Sequence, residues 1–238
     1  MYDAIVNLLS KLGLLKYAEF VIFHNQLANR IWLEIRISTC RDKEILLKYI
    51  IEQAKNDSVI YDIGAHQGIY SIVLAQLFPN SVIYSFEPNP IVYSLLLKNI
   101  KRKGLIKRIV PLNFALSNKN EMSDFFISSV SVRSSLHTYY AAYDCKIDKA
   151  IKMQCFSTDY LVENNICKPP DIIKIDTEGH EYEIIMGARE TIAKFHPAIG
   201  FEPHGIETRD LIEKHLSAQG YTIKSLGYHV WCEIDRNS

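Results

Sequence analysis

From residue 58 onward, short apolar runs alternate with longer segments in which apolar residues recur at helical spacing. Because strand and helix alternate in this way, we expect a mainly parallel, doubly wound α/β sheet. The apolar runs predict strands at residues 59–63, 82–86, 109–113, 172–175 and 198–202. The segments between them predict helices at residues 69–78, 91–103, 181–194 and 206–219. Two last apolar runs, at 221–224 and 229–234 around Gly227, predict an antiparallel hairpin.

Residues 1–56 precede this alternation and carry a different pattern. Apolar residues recur there at helical spacing from Ile5 to Leu15, and residues 20–37 are apolar and aromatic. We therefore expect an N-terminal helical extension, followed by one domain at residues 57–238. The sequence leaves several roles open for these helices: a cap packed on the domain, peripheral contact with a membrane surface, or a dimer face.

Residues 116–170, between the third and fourth predicted core strands, form a longer connection than a plain crossover needs. We expect an insertion that builds the substrate side of the domain, with additional strands at 124–128 and 151–156. A Ser- and Tyr-rich stretch at 128–143 separates those strands. This stretch is either a lid over the substrate or a disordered loop.

The first predicted strand runs into a glycine-containing turn where a helix begins. Gly64 supplies backbone freedom for a tight turn, and Gly68 allows the helix to start close to a ligand. The helix amino terminus offers unpaired N–H groups to that ligand. The second predicted strand is followed by Glu87, whose carboxylate can accept hydrogen bonds from both hydroxyls of a ribose. Together these features predict a site for a cofactor that contains adenosine.

Residues of the turn narrow the choice of cofactor. In dinucleotide sites a glycine usually occupies the position of His66, where it lets the backbone approach a pyrophosphate. Asp62 at the strand end would repel a pyrophosphate but suits a cationic ligand. NAD and FAD are therefore disfavoured, and S-adenosylmethionine, which carries a sulfonium cation, is the expected cofactor.

Four blocks of the sequence are similar to those of a known enzyme family. They are Asp62-Ile63-Gly64-Ala65-His66-Gln67-Gly68, Phe86-Glu87-Pro88-Asn89-Pro90, Ala115-Leu116-Ser117 and Lys174-Ile175-Asp176-Thr177-Glu178-Gly179-His180-Glu181. In these blocks the chain resembles the FkbM family of class I S-adenosylmethionine-dependent methyltransferases. The resemblance implies a Rossmann-like, seven-stranded, mainly parallel sheet with an antiparallel C-terminal hairpin. It also implies an O-methyltransferase acting on a hydroxyl of a sugar, a glycolipid or a secondary metabolite.

Ligands of open α/β sheets bind at the carboxyl ends of the strands. We therefore expect the cofactor to contact residues near those ends: Asp62, Gly64, His66, Gly68, Glu87, Asn113, Ala115 and Asp176. Two polar clusters at the same sheet edge are candidates for the chemistry. One follows the fourth core strand and one follows the fifth: Asp176, Glu178 and His180, then Glu202 and His204.

A hydroxyl acceptor needs a base that removes its proton as the methyl group arrives. His204 is the first candidate because its unperturbed pKa lies near neutral, and Glu178 or Glu202 could orient it or bind the acceptor. Magnesium or manganese is an alternative, because a metal would acidify the acceptor directly. Its ligands would be Asp176, Glu178, Glu202 and His204. We favour the protein base and expect no bound metal.

Charge and cysteine content limit the partners and the compartment. Lys and Arg number 27, as do Asp and Glu, so the net charge of +0 gives no field that would attract nucleic acid. The five cysteines show no paired spacing, which indicates reduced thiols and a cytoplasmic protein. No apolar stretch is long enough to span a membrane, and residues 1–10 lack a basic leader.

Two other functions remain open from the sequence. An N-methyltransferase acting on a small molecule or RNA would use the same fold, although no Asn/Asp-Pro-Pro-Tyr/Phe motif follows the fourth core strand. A cofactor-binding scaffold would bind the same cofactor and transfer nothing. The sequence predicts neither the identity of the acceptor nor the oligomeric state.

Overall fold

A computed structural model describes residues 26–128, 134–138 and 146–234 of the chain. Two helices precede the sheet: α1 at Gln26–Lys43 and α2 at Ile45–Gln53. They belong to the predicted helical extension, whereas residues 1–25, for which the sequence also predicts helix, lie outside the described residues. Much of the Ser- and Tyr-rich stretch, at 129–133 and 139–145, lies outside as well.

The strands give the sheet that the family resemblance implies. In chain order they are β1 at Val59–Ile63, β2 at Val82–Phe86, β3 at Ile109–Leu112, β4 at Ala115–Leu116, β5 at Met122–Ser128, β6 at Ile147–Phe156, β7 at Ile172–Ile175, β8 at Ala198–Phe201, β9 at Thr222–Leu226 and β10 at His229–Glu233. Seven of them form the central sheet, in the order β3-β2-β1-β7-β8-β10-β9. Neighbours from β3 to β8 are parallel, and β10 runs antiparallel to both β8 and β9.

The remaining elements are helices and a small second sheet. The helices are α3 at Ile69–Leu77, α4 at Pro90–Arg102, α5 at Thr158–Glu163, α6 at Glu181–Met186, α7 at Arg189–Phe195 and α8 at Ile206–Ala218. β4, β6 and β5 form the second sheet, in that order; β5 and β6 lie within the predicted insertion, and β4 lies at its start. The insertion therefore has the two additional strands that the sequence predicts, and both are longer than predicted.

Two apolar cores flank the central sheet, because successive strand residues point to opposite faces. On β1, Ile60 belongs to one core and Tyr61 and Ile63 belong to the other. Helices α1 to α4 contribute to the first core, and α5 to α8 contribute to the second. The residues that α2 buries in the first core are Leu46, Leu47 and Ile50. The described part of the helical extension therefore packs on the sheet.

The sequence predicts one helix at residues 181–194, but the structure has two helices, α6 and α7, separated at Gly187. The chain comes so close to Ser117 here that a Cβ on Gly187 would lie 2.0 Å from the Ser117 carbonyl oxygen. The Gly187 carbonyl accepts a hydrogen bond from the Asp159 amide at 3.0 Å. The Asp159 carboxylate then accepts from the Thr191 amide at 2.8 Å, near the start of α7. Contacts between distant segments thus end the helix, which local periodicity cannot predict.

The cysteines of the described residues are buried free thiols: Cys40, Cys155, Cys167 and Cys232. Burial raises the pKa of Cys40 to about 12 and that of Cys167 to about 11. Both thiols therefore stay protonated at neutral pH, where a thiol is a poor nucleophile. Among the helices in the described ranges, none combines the length and the apolar character needed to cross a membrane.

A crevice forms where the strand order changes direction, at the carboxyl ends of β1 and β7. Gly64, at φ 71°, packs so closely there that a Cβ would lie 1.8 Å from the Asp176 carbonyl oxygen. The Gly64 and Ala65 amides both donate to the Phe86 carbonyl at 3.0 Å. This turn therefore joins the ends of β1, β2 and β7.

We expect Gly64→Ala to destabilise the fold far more than Gly104→Ala. The two glycines have nearly the same φ, 71° and 69°, but a Cβ at Gly104 would meet nothing within 4 Å. Alanine should cost about 1–2 kcal/mol at either position because of its left-handed backbone. At Gly64 the collision with the backbone should add about 1–3 kcal/mol or more. Urea unfolding measures both free energies, and equal losses would show that the close approach is not required.

Candidate active site

A buried ion pair lies beneath the crevice. Lys174 on β7 and Asp62 on β1 are partners in register, and Lys174 Nζ lies 3.1 Å from Asp62 Oδ1. Nζ also donates to the carbonyl oxygens of Ile63 at 3.3 Å and Gly64 at 3.0 Å. Asp62 Oδ2 accepts from the Ser71 hydroxyl at 2.5 Å. Asp62 is therefore surrounded by protein groups and anchors the turn, and its contact with the cofactor stays a prediction.

Neighbouring carboxylates keep Lys174 charged. Burial lowers the pKa of Lys174, but Asp62 and Asp176 outweigh that effect and raise the pKa above its ordinary value. Lys174 Nζ lies 3.8 Å from Asp176 Oδ2. One buried cation thus stabilises both a buried carboxylate and the carboxylate that follows β7.

An open cleft with a cavity volume of about 130 Å³ lies at the carboxyl ends of β1, β2 and β7. The predicted cofactor residues that line the cleft are Gly64, His66, Glu87, Ala115 and Asp176. The predicted catalytic residues that line it are Asp176, Glu178 and His180. Predicted residues outside the lining are Asp62, Gly68, Asn113, Glu202 and His204.

Glu87 holds together the half of the cleft formed by β1 and β2. Its Oε2 accepts from the His66 amide at 2.9 Å, and its Oε1 accepts from the Asn89 amide at 2.8 Å. Burial raises the pKa of Glu87 to about 7, although these two backbone bonds favour the charged form. Each carboxylate oxygen keeps a further lone pair, so Glu87 can also accept hydrogen bonds from ligand hydroxyls.

Gly68 and Asn113 stabilise this half of the cleft without belonging to its lining. A Cβ at Gly68 would lie 2.4 Å from Leu96 Cδ1, so the glycine lets α3 pack against α4. Asn113 Nδ2 donates to the carbonyl oxygens of Glu87 and Pro88 at 2.8 and 3.0 Å. Both residues shape the loops around the cleft, and their direct contact with the cofactor stays a prediction.

Two carboxylates line the opposite half of the cleft. The side chain of Asp176 is 42% exposed, but the cleft walls displace much of its water, and this desolvation outweighs Lys174 and raises the Asp176 pKa. A higher pKa makes this carboxylate a better proton acceptor. Glu178 has a φ of 51°, which is uncommon for a residue with a side chain and recurs at functional sites. Its carbonyl accepts from Ser135 Oγ at 2.8 Å.

His204 lies between two carboxylates. Its Nδ1 is 3.0 Å from Glu181 Oε1, and its Nε2 is 3.5 Å from Glu178 Oε2. Burial lowers the pKa of His204, but Glu181 and Glu178 outweigh it and raise the pKa to about 9. The imidazole is therefore protonated at neutral pH and has no lone pair that could accept a proton. This geometry favours His204 as a cation that positions Glu178, and its role as the base stays a prediction from the sequence.

Glu202 is paired outside the cleft. Its Oε2 lies 3.3 Å from His229 Nε2, and this hydrogen bond is the largest influence that lowers the Glu202 pKa. The metal ligands considered from the sequence therefore do not gather at one point. In the described ranges, one group of side chains has the types and the spacing of metal ligands. Its ligand atoms lie within 4.8 Å of one another and belong to His137, His180 and Glu183.

His180, the residue before α6, is hydrogen-bonded at both ring nitrogens. Its Nε2 lies 2.9 Å from Ser117 Oγ, and its Nδ1 lies 3.0 Å from His137 Nε2. Burial lowers the pKa of His180 to about 4, so the ring is neutral at physiological pH. His137 belongs to residues 134–138, a part of the Ser- and Tyr-rich stretch from which Ser134 and Leu136 line the cleft.

Four residues that build this site were not singled out from the sequence: Ser117, His137, Lys174 and Glu181. Three of them lie inside the blocks that carry the family resemblance, but only the fold shows what they contact. Glu181 is fully buried and accepts from the Gly179 amide at 3.0 Å as well as from His204. His137 lies 43 positions from His180, and no motif marks it.

Comparison with known proteins establishes the family. The model of the methyltransferase FkbM domain matches residues 62–230, which include both halves of the cleft. The chain belongs to the FkbM methyltransferase family. This result confirms the resemblance found in the sequence and makes the protein a methyltransferase.

Relatives of this FkbM protein include a curated enzyme and several solved structures. Hexuronic acid methyltransferase AglP of Haloferax volcanii is 24% identical over 189 residues, which cover 79% of this chain and 73% of that protein. An FkbM methyltransferase structure from Methylobacillus flagellatus KT has a TM-score of 0.54 and 16% identity. The match covers 78% of this chain and 50% of that one. A putative rRNA methylase from Clostridium thermocellum has a TM-score of 0.51 and 10% identity, over 79% of this chain and 93% of that one. The solved structures thus share the fold.

We expect the stabilising effect of His204 to depend on pH. Its pKa is raised from 6.5 to about 9, so its contribution is complete below pH 6.5 and is lost as the pH rises through about 9. Urea unfolding measures the free energy of unfolding of wild type and of His204→Gln. The advantage of wild type should be largest near pH 6 and should shrink toward pH 10.

His215→Gln is the matched control. Burial lowers the pKa of His215, so protonation of this histidine disfavours the folded state. The stability of wild type relative to His215→Gln should therefore decrease as the pH falls, which is the opposite of the trend at His204. A wild-type advantage over His204→Gln that stays constant across this pH range would contradict the imidazolium assignment.

Proposed function

We propose that this FkbM protein is an S-adenosylmethionine-dependent O-methyltransferase that acts on a sugar hydroxyl. One observation carries the proposal: a single cleft has a nucleotide-type turn with Glu87 on one side and the Asp176 and Glu178 carboxylates on the other. A cofactor and an acceptor placed on these two sides would meet at the carboxyl ends of β1 and β7. That junction is where ligands of open α/β sheets bind.

The cofactor side suits S-adenosylmethionine. Glu87 is fixed by two backbone amides and can accept from both ribose hydroxyls. The cleft lining also carries the carboxylates of Asp176 and Glu178, which attract the positive sulfonium. The family supports the same choice of methyl donor.

Asp176 is the base that we assign to the reaction. Bound S-adenosylmethionine would supply a methyl group to the acceptor oxygen and would leave as a neutral thioether, with the C–S bonding electrons on sulfur. The acceptor proton moves to the Asp176 carboxylate, whose raised pKa favours proton uptake. Asp176 also packs against the Gly64 turn, so it lies between the two halves of the cleft.

Glu178 and His204 position the acceptor. The His204 imidazolium holds Glu178 Oε2 at 3.5 Å, and Glu181 holds the imidazolium from its other side. A fixed carboxylate can accept hydrogen bonds from further acceptor hydroxyls, and such orientation contributes several kcal/mol to catalysis, up to about 7–11 kcal/mol. His204 therefore acts through Glu178.

A hexuronic acid is the first acceptor to test. The relative from Haloferax volcanii is named as a hexuronic acid methyltransferase, and sugars offer several neighbouring hydroxyls for the Asp176 and Glu178 carboxylates. The cleft lining also includes Phe114, Phe125 and Leu136, which provide apolar surface for the C–H faces of a sugar ring.

The two sides of the cleft should separate in kinetics. Asp176→Asn should lower kcat by about 10²- to 10⁴-fold even at saturating cofactor, because the base is lost. Glu87→Gln should weaken S-adenosylmethionine binding and leave most of kcat at saturating cofactor. Glu207→Gln, at an exposed position in α8, should alter neither value.

The acceptor class is tested with methyl-labelled cofactor offered to sugars, including hexuronic acids, and to amines and RNA. Label in a sugar that survives mild alkali, as an ether does, agrees with the proposal. Label only in RNA or in an amine contradicts the acceptor class. An Asp176→Asn enzyme with nearly full kcat contradicts the base.

A further inference from the structure

His137, His180 and Glu183 bring three metal-binding side chains together beside the cleft. His180 Nδ1 lies 3.0 Å from His137 Nε2 and 3.7 Å from Glu183 Oε2, and all three atoms lie within 4.8 Å of one another. Two imidazoles and one carboxylate form a donor set that recurs in metalloenzymes. We propose that these residues bind a divalent transition-metal ion of the zinc class.

The distances fit one shared ion. Zinc binds imidazole nitrogen at about 2.0–2.1 Å, so two such ligands on a tetrahedral ion lie about 3.3 Å apart. The separations of 3.0 Å and 3.7 Å fall on either side of that value. His180 and Glu183 lie three positions apart at the start of α6, where residues at that spacing share one face of a helix.

Ser117 orients His180 for such a role. The Ser117 hydroxyl donates to Asn118 Oδ1 at 3.4 Å, which leaves its oxygen to accept from His180 Nε2–H at 2.9 Å. The proton on Nε2 leaves the lone pair on Nδ1, the atom next to His137 and Glu183. Metal-binding histidines are commonly held by this kind of hydrogen bond at the second ring nitrogen.

The donor types select the ion. Imidazole ligands suit zinc and the other late first-row ions, whereas magnesium prefers oxygen ligands and keeps several waters. Affinity should therefore be higher for zinc than for manganese, as in the Irving–Williams order, and lowest for magnesium, which prefers oxygen ligands. Three protein ligands leave a fourth position for water or for an acceptor.

A metal would also supply a charge that this cleft needs. Its described lining contains the carboxylates of Glu87, Asp176 and Glu178 and no Lys or Arg. His180 belongs to the same lining, so an ion on its Nδ1 lies at the acceptor side. If the proposed function holds, this ion would bind the carboxylate or neighbouring hydroxyls of a hexuronic acid, which the acidic lining would otherwise repel.

The test measures metal binding without cofactor or acceptor. The full-length protein is stripped with a chelator, dialysed, and titrated with zinc, manganese or magnesium chloride, and the retained metal is counted by mass spectrometry. We expect one zinc per chain. Ser117→Ala should weaken zinc binding about 10- to 100-fold, as loss of an orienting partner does, and His137→Ala or Glu183→Ala should weaken it further.

His215→Ala removes a histidine on α8 and should leave zinc binding unchanged. His137 lies outside the central sheet, so His137→Ala keeps the test informative if substitution at His180 prevents folding. Failure of wild type to retain zinc would overturn the proposal. Undiminished zinc binding by both His137→Ala and Glu183→Ala would also overturn it, because the ion would then lie elsewhere. Neither result depends on methyl transfer, so the proposed function stands or fails separately.

Discussion

A single buried cation fixes the point at which the strand order reverses. Lys174 holds the Asp62 carboxylate and the carbonyl oxygens of Ile63 and Gly64, so the ends of β1 and β7 are locked together. A lysine with an exposed fraction of only 5% is costly unless its charge is paired. The carboxylate and both carbonyls meet that requirement. Because the Gly64 turn also forms one edge of the cleft, the geometry of the site depends on this interaction.

The acids and histidines around the cleft divide into two kinds of role. Glu181 and Glu202 are each paired with a histidine, and the pKa of each carboxyl is lowered. Glu87 and Asp176 line the cleft, and burial raises the pKa of each. Groups of the first kind build the scaffold, whereas groups of the second kind keep lone pairs for a ligand. Environment, and not residue type, separates them.

The sequence predicted the sheet and its hairpin well because strands such as Val59–Ile63 and Val82–Phe86 carry strong local patterns. It missed the helix break at Gly187 and the charge on His204, because both depend on contacts with distant residues. The charge on His204 comes from Glu181, which lies 23 positions away and is brought close only by folding. His137 likewise reaches His180 through the insertion, and no local pattern marks that contact.

The central claim is that cofactor and acceptor meet at the junction of β1 and β7. A crystal structure with S-adenosylhomocysteine tests it most directly. We expect ribose hydroxyls within about 2.6–3.2 Å of the Glu87 carboxylate, and a sulfur atom that faces Asp176 across the cleft. A ligand bound away from Glu87, or a sulfur atom turned away from Asp176 and Glu178, would contradict the account.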